Sequence, residues 1–402
     1  MSACSFVETP ISEIIDEIAM GPFGSNIKTD CFVSSGIPVF SGTNLTSFET
    51  NDKSLRFVTE EKAFSLGNAL ASRGDIVVTH RGTLGQVAVI PNDSGYDHYV
   101  ISQSQFRFRC NNTAIPKYIV YYLHTREGQW KLLSNKTQTG VPALGRPTST
   151  FKKLTIPLPR IEIQERIVTL LDSLQLKIEL NNQLNDYLVT LVDLEFSKRF
   201  SGSVSTTSLN NVLEISTKSL KPQQHVGETW EHYSIPAFDE MHWPIFELAD
   251  GIKSNKYIVD RGSILISKLN PSIKRMWIPV CLTDKAVCST EFIVYKPLEP
   301  RHKSFYCAAI NANNFAAFLL EHVTGSTGSR QRVQPKATLD YPIPNPCRTA
   351  IEAFCDFADP FYRQIEINEI ESQHLGSLRD ALLPKLMSGE IDVSKVALTQ
   401  PK

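Results

Sequence analysis

The second half of this chain repeats the plan of the first half, and this repeat constrains the fold more than any other feature. GDIVVTHRGTLGQVAVIP, from Gly74, runs into VISQSQFRFR, and GSILISKLNPSIKRMWIPV, from Gly262, runs into VCSTEFIVYKP. Each stretch predicts strand, turn, strand, loop and strand. A TG turn, at Thr139 and again at Thr324, then precedes an extended segment bounded by proline. We therefore expect two copies of one domain that mixes helices and strands.

A long helical pattern follows the first copy. No Gly or Pro occurs from residue 160 to 199. Apolar residues recur there at alternate spacings of three and four residues, at Ile167, Leu171, Leu174, Ile178, Leu184, Leu188 and Leu191. The spacing predicts a helix from about residue 163 to 199, roughly 55 Å long at 1.5 Å per residue. A helix this long, with one apolar face, needs a partner along its length.

The second copy is followed by a less regular helical pattern. It is carried by Ile351, Phe354, Ala358, Phe361 and Ile365, and later by Leu375 and Leu382. Pro360 and Gly376 are expected to weaken this helix locally. Both patterns close on a similar tail, SKRFSG ending at Gly202 and PKLMSG ending at Gly389. We expect the two helices to pair with each other in antiparallel orientation.

Two asparagines occupy equivalent places in the two helical patterns. Asn181 and Asn368 each fall on the apolar face, near the middle of the helix. Antiparallel packing would bring them close together, where a side-chain hydrogen bond would fix the helix register at some cost in stability. The alternative is that both asparagines face solvent.

Charge and composition limit the classes of function. The net charge of −1 over 402 residues argues against a protein that coats DNA without sequence preference. Residues 1–155 and 204–340 each carry 15 basic and 13 acidic groups, whereas residues 160–200 and 341–402 are net acidic. This distribution suits modest DNA contact by the two domains and protein contact by the helices.

Several searches for catalytic chemistry find nothing. The chain has no GxxxxGK[ST] loop, no GxSxG elbow, no HExxH and no NPP[FY] motif, since NPSI at Asn270 lacks the second proline and the aromatic residue. The eight cysteines form no CxxC pair, which argues against zinc and a disulfide framework. The first residues, MSACSFVETPISEII, lack a basic segment followed by an apolar run, and no stretch approaches the apolar length that spans a membrane. We expect a cytoplasmic protein that is not an enzyme and does not enter a membrane.

These residues resemble the specificity subunits of type I restriction-modification systems. The resemblance covers nearly the whole chain. It rests on GPFGS from Gly21, GIPVFSGTNL from Gly36, GDIVVTHRGTLG from Gly74, ISQSQFRFR from Ile101, LPRIEIQERIVTLLD from Leu158, HYSIPAFDE from His232, ILISKLNP from Ile264 and LRDALLPKLMSGEI from Leu378. One departure is CRTAIEAFCDF, from Cys347, which lacks the EQ-type helix start found at Gln164.

The resemblance implies an α+β fold with two target-recognition domains in a pseudo-twofold tandem repeat, separated by two long antiparallel coiled-coil helices. The expected divisions are residues 1–158 for the first domain, 159–202 for the central spacer helix, 203–345 for the second domain and 346–402 for the distal spacer helix and tail. Each domain would bind one half of a split target in double-stranded DNA, and the helices would set the gap. The tail after Gly389 should pack near the first domain.

The resemblance also implies partners. Two modification subunits would methylate adenine with S-adenosylmethionine, and two restriction subunits in the full complex would use ATP and Mg²⁺. This chain would bind no cofactor and contribute no catalytic residue. A stand-alone DNA-binding regulator is the alternative, although it would need a more basic surface. A purely structural coiled-coil scaffold would not need two loop-rich domains.

The candidate DNA contacts are polar residues in loops. Arg and Lys recognise guanine, Asn and Gln recognise adenine, and Ser, Thr and backbone groups hold phosphates. The candidates are Ser25, Lys28, Thr43, Asn44, His80, Arg81, Gln103, Gln105, Gly140 and Arg146 in the first domain, and Lys268, Asn270, Lys274, Arg275, Ser326, Arg330, Gln331 and Arg332 in the second. A turn or surface role is the alternative for each, and a salt bridge is the alternative for each Arg. We expect Gly21, Gly24, Gly82 and Gly85 to adopt positive φ in turns.

Overall fold

The structure, a computed structural model, describes residues 6–22, 24–137, 140–203, 205–324 and 331–396. The chain divides into two compact units. Unit 1 comprises Met1–Lys177 with His374–Lys402, and unit 2 comprises Ile178–Gln373. Each unit therefore contains one copy of the repeat together with part of each long helix.

Two helices of 40 residues each dominate the helical structure. The helices are α1 (Glu60–Ser65), α2 (Pro116–His124), α3 (Arg126–Leu133), α4 (Pro147–Phe151), α5 (Ile161–Phe200), α6 (Ile235–Met241), α7 (Lys303–Asn311), α8 (Asn313–Glu321) and α9 (Arg348–Met387). The helix predicted at about 163–199 is confirmed as α5. The helix α9 continues through Pro360 and Gly376, so neither residue ends it. Close to Pro360, the apolar side chains of Phe354 and Ala358 are buried in the core of unit 2.

The strands of unit 1 form two larger sheets and one pair. They are β1 (Val7–Pro10), β2 (Ile15–Met20), β3 (Phe32–Val33), β4 (Ile37–Val39), β5 (Arg56–Val58), β6 (Leu70–Ser72), β7 (Ile76–Thr79), β8 (Val87–Val89), β9 (His98–Val100), β10 (Gln105–Cys110) and β11 (Thr155–Leu158). One sheet has the order β2-β10-β7-β8 and is antiparallel throughout. The other has the order β3-β5-β4-β9-β6, in which β4 and β9 are parallel. Strands β1 and β11 pair separately.

Unit 2 repeats this plan. Its strands are β12 (Thr206–Ser208), β13 (Leu213–Ile215), β14 (Ser219–Leu220), β15 (Thr229–Tyr233), β16 (Ile245–Leu248), β17 (Lys256–Ile258), β18 (Ile264–Ser267), β19 (Met276–Trp277), β20 (Ala286–Ser289), β21 (Phe292–Pro297), β22 (Val323–Thr324), β23 (Arg332–Val333) and β24 (Pro342–Pro344). The sheet β13-β21-β18-β19 matches β2-β10-β7-β8 strand for strand. The five-stranded sheet β14-β17-β20-β15-β16 again contains one parallel pair, β15 with β20. The predicted α+β repeat with two long helices is confirmed.

Polar and apolar residues do not alternate along the central strands β7 and β18, because both faces of each strand are covered. In unit 1, Ile76 and Val78 belong to the cluster formed with α2 and α5, while Val77 faces a second cluster with the five-stranded sheet. In unit 2, Ile264 and Leu265 divide between two clusters in the same way. The apolar runs IVVT and ILIS are therefore strands buried on both faces.

The tail after α9 packs in unit 1, as expected. Val393 is buried in the core of that unit. The Arg166 guanidinium on α5 donates to the carbonyl oxygens of Val393, at 3.0 Å, and Val396, at 2.6 Å. These two hydrogen bonds fasten the tail to the first turns of α5. None of the helices in the described ranges has the length and hydropathy that a membrane span requires.

Candidate nucleic-acid interface

Loops at one end of the unit 1 sheets enclose a cleft of about 470 Å³. We call it the unit 1 cleft. It is formed by the segments that follow β2, β4 and β7 and by the segment that precedes β10. Its polar lining consists of Thr29, Ser41, Arg56, Thr79, Arg81, Thr83, Gln86, Ser102, Gln103, Ser104 and Gln105. Among the described residues that line it, two are arginines and none is a carboxylate. The cleft therefore has the polarity that a nucleic acid requires.

Two of the predicted contacts, Gln105 and His80, are buried and hold the loops of the cleft together. The Gln105 amide accepts from the Ser102 backbone N–H at 2.9 Å and donates to the Ser41 carbonyl at 3.3 Å. The Nε2 of His80 donates to the Gln103 carbonyl at 3.2 Å. Burial lowers the pKa of His80, so its ring is neutral near pH 7. Both side chains join separate loops.

Asn44 has the same structural role. It is buried, and its Oδ1 accepts from the Ser41 backbone N–H at 2.9 Å. Its Nδ2 donates to the carbonyl oxygens of Asn51, at 3.0 Å, and Lys53, at 2.9 Å. The side chain is thus already occupied in shaping its own turn. The neighbouring Thr43 is exposed and contacts the Ser41 hydroxyl at 2.7 Å.

The other predicted residues of unit 1 whose side chains the structure describes lie on the surface. Arg81 and Gln103 are exposed and line the cleft, and Lys28 is exposed nearby in sequence. The side chain of Ser25 lies outside the described part of the structure, as do Ser326 and Arg330 of the second domain.

The TG loop of unit 1 lies beside the turn that follows β7. Arg81 forms an antiparallel bridge with Ala143, and the Leu144 N–H donates to the His80 carbonyl at 2.8 Å. The segment 140–146, which contains the predicted Gly140 and Arg146, is exposed at both ends. Two loops that are distant in sequence therefore lie side by side.

Unit 2 makes the corresponding contact. The turn after β18 bridges to the end of its own TG loop through Leu269 and Arg332. The Asn270 N–H donates to the Gln331 carbonyl at 2.9 Å, and Lys268 lies in the same turn. Both copies of the repeat thus place the turn after the central strand against the TG loop. In each domain the fold thus brings described residues of these two segments together in the same way.

Ion pairs occupy two of the predicted arginines in unit 2. Arg275 is buried and bonds Asp239 through Nε, at 2.6 Å, and Nη2, at 2.8 Å. Arg332 is exposed and bonds Glu291 through the same two nitrogens, at 3.0 and 3.2 Å. Lys274 donates to a backbone carbonyl of α7. In the free chain Arg275 and Arg332 therefore form salt bridges, which is the alternative that the sequence analysis gave for each arginine.

Gln86 and Arg56 also line the cleft, although neither is among the predicted DNA contacts. Gln86 joins two loops, because it donates to the Gly42 carbonyl at 3.0 Å and accepts from the Thr79 hydroxyl at 3.1 Å. Arg56 is exposed on β5, with its guanidinium carbon 4.1 Å from the centre of the Phe32 ring. No sequence motif surrounds Arg56, and its position depends on a strand pairing that local sequence does not reveal.

The glycines of the cleft act in two different ways. Gly82 and Gly85 have φ of 87° and 88°, as expected for turns that only glycine adopts easily. The same expectation is wrong for Gly21 and Gly24, which do not have positive φ. A Cβ on Gly21 would lie 1.9 Å from the Ser102 carbonyl oxygen, so this position needs glycine because two backbone segments approach closely.

The helix-pairing asparagines meet inside unit 2. Asn181 and Asn368 are only 2% and 3% exposed. The Asn181 Nδ2 lies 3.4 Å from the Asn368 carbonyl, 2.8 Å from a Glu371 carboxylate oxygen and 3.2 Å from the Ser372 hydroxyl. The Asn368 amide donates to Asn185 at 2.7 Å. The alternative that both face solvent is excluded, and this part of α5 and α9 is paired through a buried polar network.

A second cavity, of about 390 Å³, lies in unit 2 between α9 and the domain. Trp277, Tyr362 and Glu369 line it. Burial raises the pKa of Glu369 to about 8. None of the predicted DNA contacts lines this cavity, so it is separate from the candidate interface.

The described fold thus comprises two repeated α+β units and two long helices that pair with each other. Residues 28–189 match the family described as type I restriction modification DNA specificity domain. The chain is 23% identical, over 426 aligned positions, to the type I restriction enzyme MjaIX specificity subunit of Methanocaldococcus jannaschii, and the match covers 95% of this chain and 93% of that protein. It also shares the fold of the type I restriction-modification S subunit from M. genitalium, with a TM-score of 0.57 at 15% identity, over 96% of this chain and 97% of that one.

The chain is therefore similar over most of its length to type I restriction-modification specificity subunits. The proteins that it matches are DNA-recognition components rather than catalytic enzymes, which agrees with the expectation that this chain is not an enzyme.

Proposed function

We propose that this chain selects the DNA site for a type I restriction-modification complex in the cytoplasm and that each domain recognises one half of a split target. The observation that carries the proposal is the repeated contact between the turn after the central strand and the TG loop. Two equivalent polar surfaces on one chain suit a target with two halves. The recognition domains would comprise residues 1–158 and 203–345. The helical segments 159–202 and 346–402 would act as the spacer.

The proposed DNA contacts are Ser25, Lys28, Thr43, Arg81, Gln103, Gly140 and Arg146 in the first domain and Lys268, Asn270, Lys274, Ser326, Arg330 and Gln331 in the second. Of those whose exposure the structure describes, Lys28, Thr43, Arg81, Gln103, Gly140, Arg146 and Lys274 are exposed, and Lys268, Asn270 and Gln331 are half-buried. Asn44, His80 and Gln105 would act by shaping the loops, because they are buried and bonded within unit 1. Arg275 and Arg332 would contact DNA only by exchanging or sharing their carboxylate partners.

The exposed face of α5 in unit 2 is the proposed docking surface for a modification subunit. Leu180, Leu184, Tyr187, Leu191 and Leu194 are all exposed and recur at spacings of three and four residues. They form a continuous apolar stripe along the helix. A partner helix that covers this stripe would remove the apolar side chains from water.

The full complex would contain two modification subunits and two restriction subunits. The modification subunits would bind S-adenosylmethionine and methylate adenine, and the restriction subunits would bind ATP and Mg²⁺. This chain would bring both activities to the site and would itself need no cofactor.

The proposal is tested by selecting DNA from a random library with the complex of this chain and the modification subunit encoded in the same genome. The expected product is two short sequences separated by a fixed gap. Arg81→Ala should degrade the preference in one half and leave the other intact, because Arg81 belongs only to unit 1. A single continuous motif, or selection that is equally strong without the modification subunit, would contradict the proposal and favour a stand-alone regulator.

A further inference from the structure

The five-stranded sheet of unit 1 presents an arginine to the cleft in a fixed orientation. Strands β3 and β5 are antiparallel, with Phe32 opposite Val58. Arg56 lies two residues from Val58 on β5 and therefore on the same face as Phe32. Its guanidinium carbon lies 4.1 Å from the centre of the Phe32 ring, within the range of a cation–π contact. The guanidinium is thus positioned against the ring.

Within the part of the chain that the structure describes, no ion pair neutralises the charge of Arg56. In the described ranges no carboxylate forms an ion pair with Arg56 or Arg81, the two arginines of the cleft. Arg107, in contrast, is buried and bonds both Glu17 and Asp75. An oriented and unpaired guanidinium in a polar cleft is prepared to bind an external acceptor.

We propose that Arg56, held against Phe32, is a specificity-determining residue that contacts a guanine in the half-site bound by the first domain. This inference rests on the proposed function. A guanidinium matches the O6 and N7 acceptors of guanine through two parallel hydrogen bonds, and no other base presents this pair in the major groove. An aromatic ring offers no carboxylate or carbonyl oxygen to the guanidinium, so the contact with Phe32 leaves the N–H groups of Arg56 able to form these bonds.

The test compares variants in the DNA selection with the modification subunit. With Arg56→Ala, the preference for one G·C pair in a single half-site should disappear, and affinity for the selected sequence should fall about 5- to 150-fold, as expected for loss of one bidentate base contact. The other half-site should be unchanged. Arg56→Lys keeps the charge and should not restore the preference, because a lysine cannot present the bidentate fork.

Two further variants separate orientation from charge. Phe32→Leu removes the ring but keeps an apolar side chain, so it should weaken the preference at the same base pair by less than Arg56→Ala does. Arg73→Ala is the matched control, since Arg73 is an arginine of unit 1 that pairs with Asp97 and does not line the cleft. It should leave the selected sequence unchanged.

Two different results would overturn the assignment of Arg56 as a guanine contact. A uniform loss of affinity for every sequence with Arg56→Ala would show a phosphate contact, and unchanged selection would show no contact. Either result overturns this inference alone. If the wild-type complex selects no sequence, the proposed function fails, and the assignment of Arg56 fails with it.

Discussion

Replacing Asp75 with Ala should destabilise unit 1 by about 3 kcal/mol, at the lower end of the range for breaking a buried ion pair. The Asp75 side chain is 0% exposed. It accepts from Arg109 at 2.7 and 3.0 Å, from Arg107 at 3.4 Å and from the Ser72 backbone N–H at 2.9 Å. The loss is limited because Arg107 keeps its 2.7 Å contact with Glu17 and because Arg109 is partly exposed.

The matched control is Asp97→Ala. Asp97 also pairs with an arginine, Arg73, at 3.1 Å, but its side chain is 77% exposed. This substitution should cost less than about 1 kcal/mol. The assay is urea unfolding followed by circular dichroism, supported by melting temperatures. At about 2–4 °C per kcal/mol for a domain of this size, Asp75→Ala should lower the first melting transition by about 6–12 °C. Equal losses from the two variants would refute the reasoning.

Three further predictions concern pH, helix pairing and assembly. Burial lowers the pKa of His80, so the contribution of the neutral ring to stability is complete above about pH 6.5 and is lost as the pH falls. The melting temperature of His80→Gln should therefore decline less steeply below pH 6.5 than that of the wild type. An identical decline would contradict this prediction. Asn181→Ala should cost about 1–3 kcal/mol of unfolding free energy, because it leaves buried partners unbonded, whereas the exposed neighbour Asn182→Ala should cost a few tenths at most. Leu184→Glu combined with Tyr187→Glu should abolish co-purification with the modification subunit without lowering the melting temperature; persistence of the complex would remove α5 as the docking surface.

Much of the fold could be predicted because its signals are local or repeated. The apolar runs of β7 and β18 and the helical spacing of α5 each follow from short stretches of sequence. The effect of Pro360 on α9 could not be judged from the sequence, because it depends on side chains that pack against the helix from elsewhere in the chain. The five-stranded sheets were also missed, since their strands are short and join through long-range pairings such as β4 with β9.

The candidate site likewise has features that could be predicted from the sequence and features that could not. The sequence identified loops with suitable donors and acceptors, and the structure brings these loops together. Residue type does not indicate burial, however, so Asn44 and Gln105 could not be distinguished from the exposed Gln103. Arg56 could not be predicted as a residue of the site, because its place in the cleft depends on the pairing of β3 with β5.

The measurement that tests the account most directly is sequencing of methylated bases in the genome that encodes this chain, before and after deletion of its gene. The account predicts that one split motif is methylated on adenine and that this methylation disappears in the deletion strain. Restoring the gene with Arg81→Ala should relax one half of the motif only. A pattern of adenine methylation that is the same with and without the gene would contradict the proposal that this chain chooses the site.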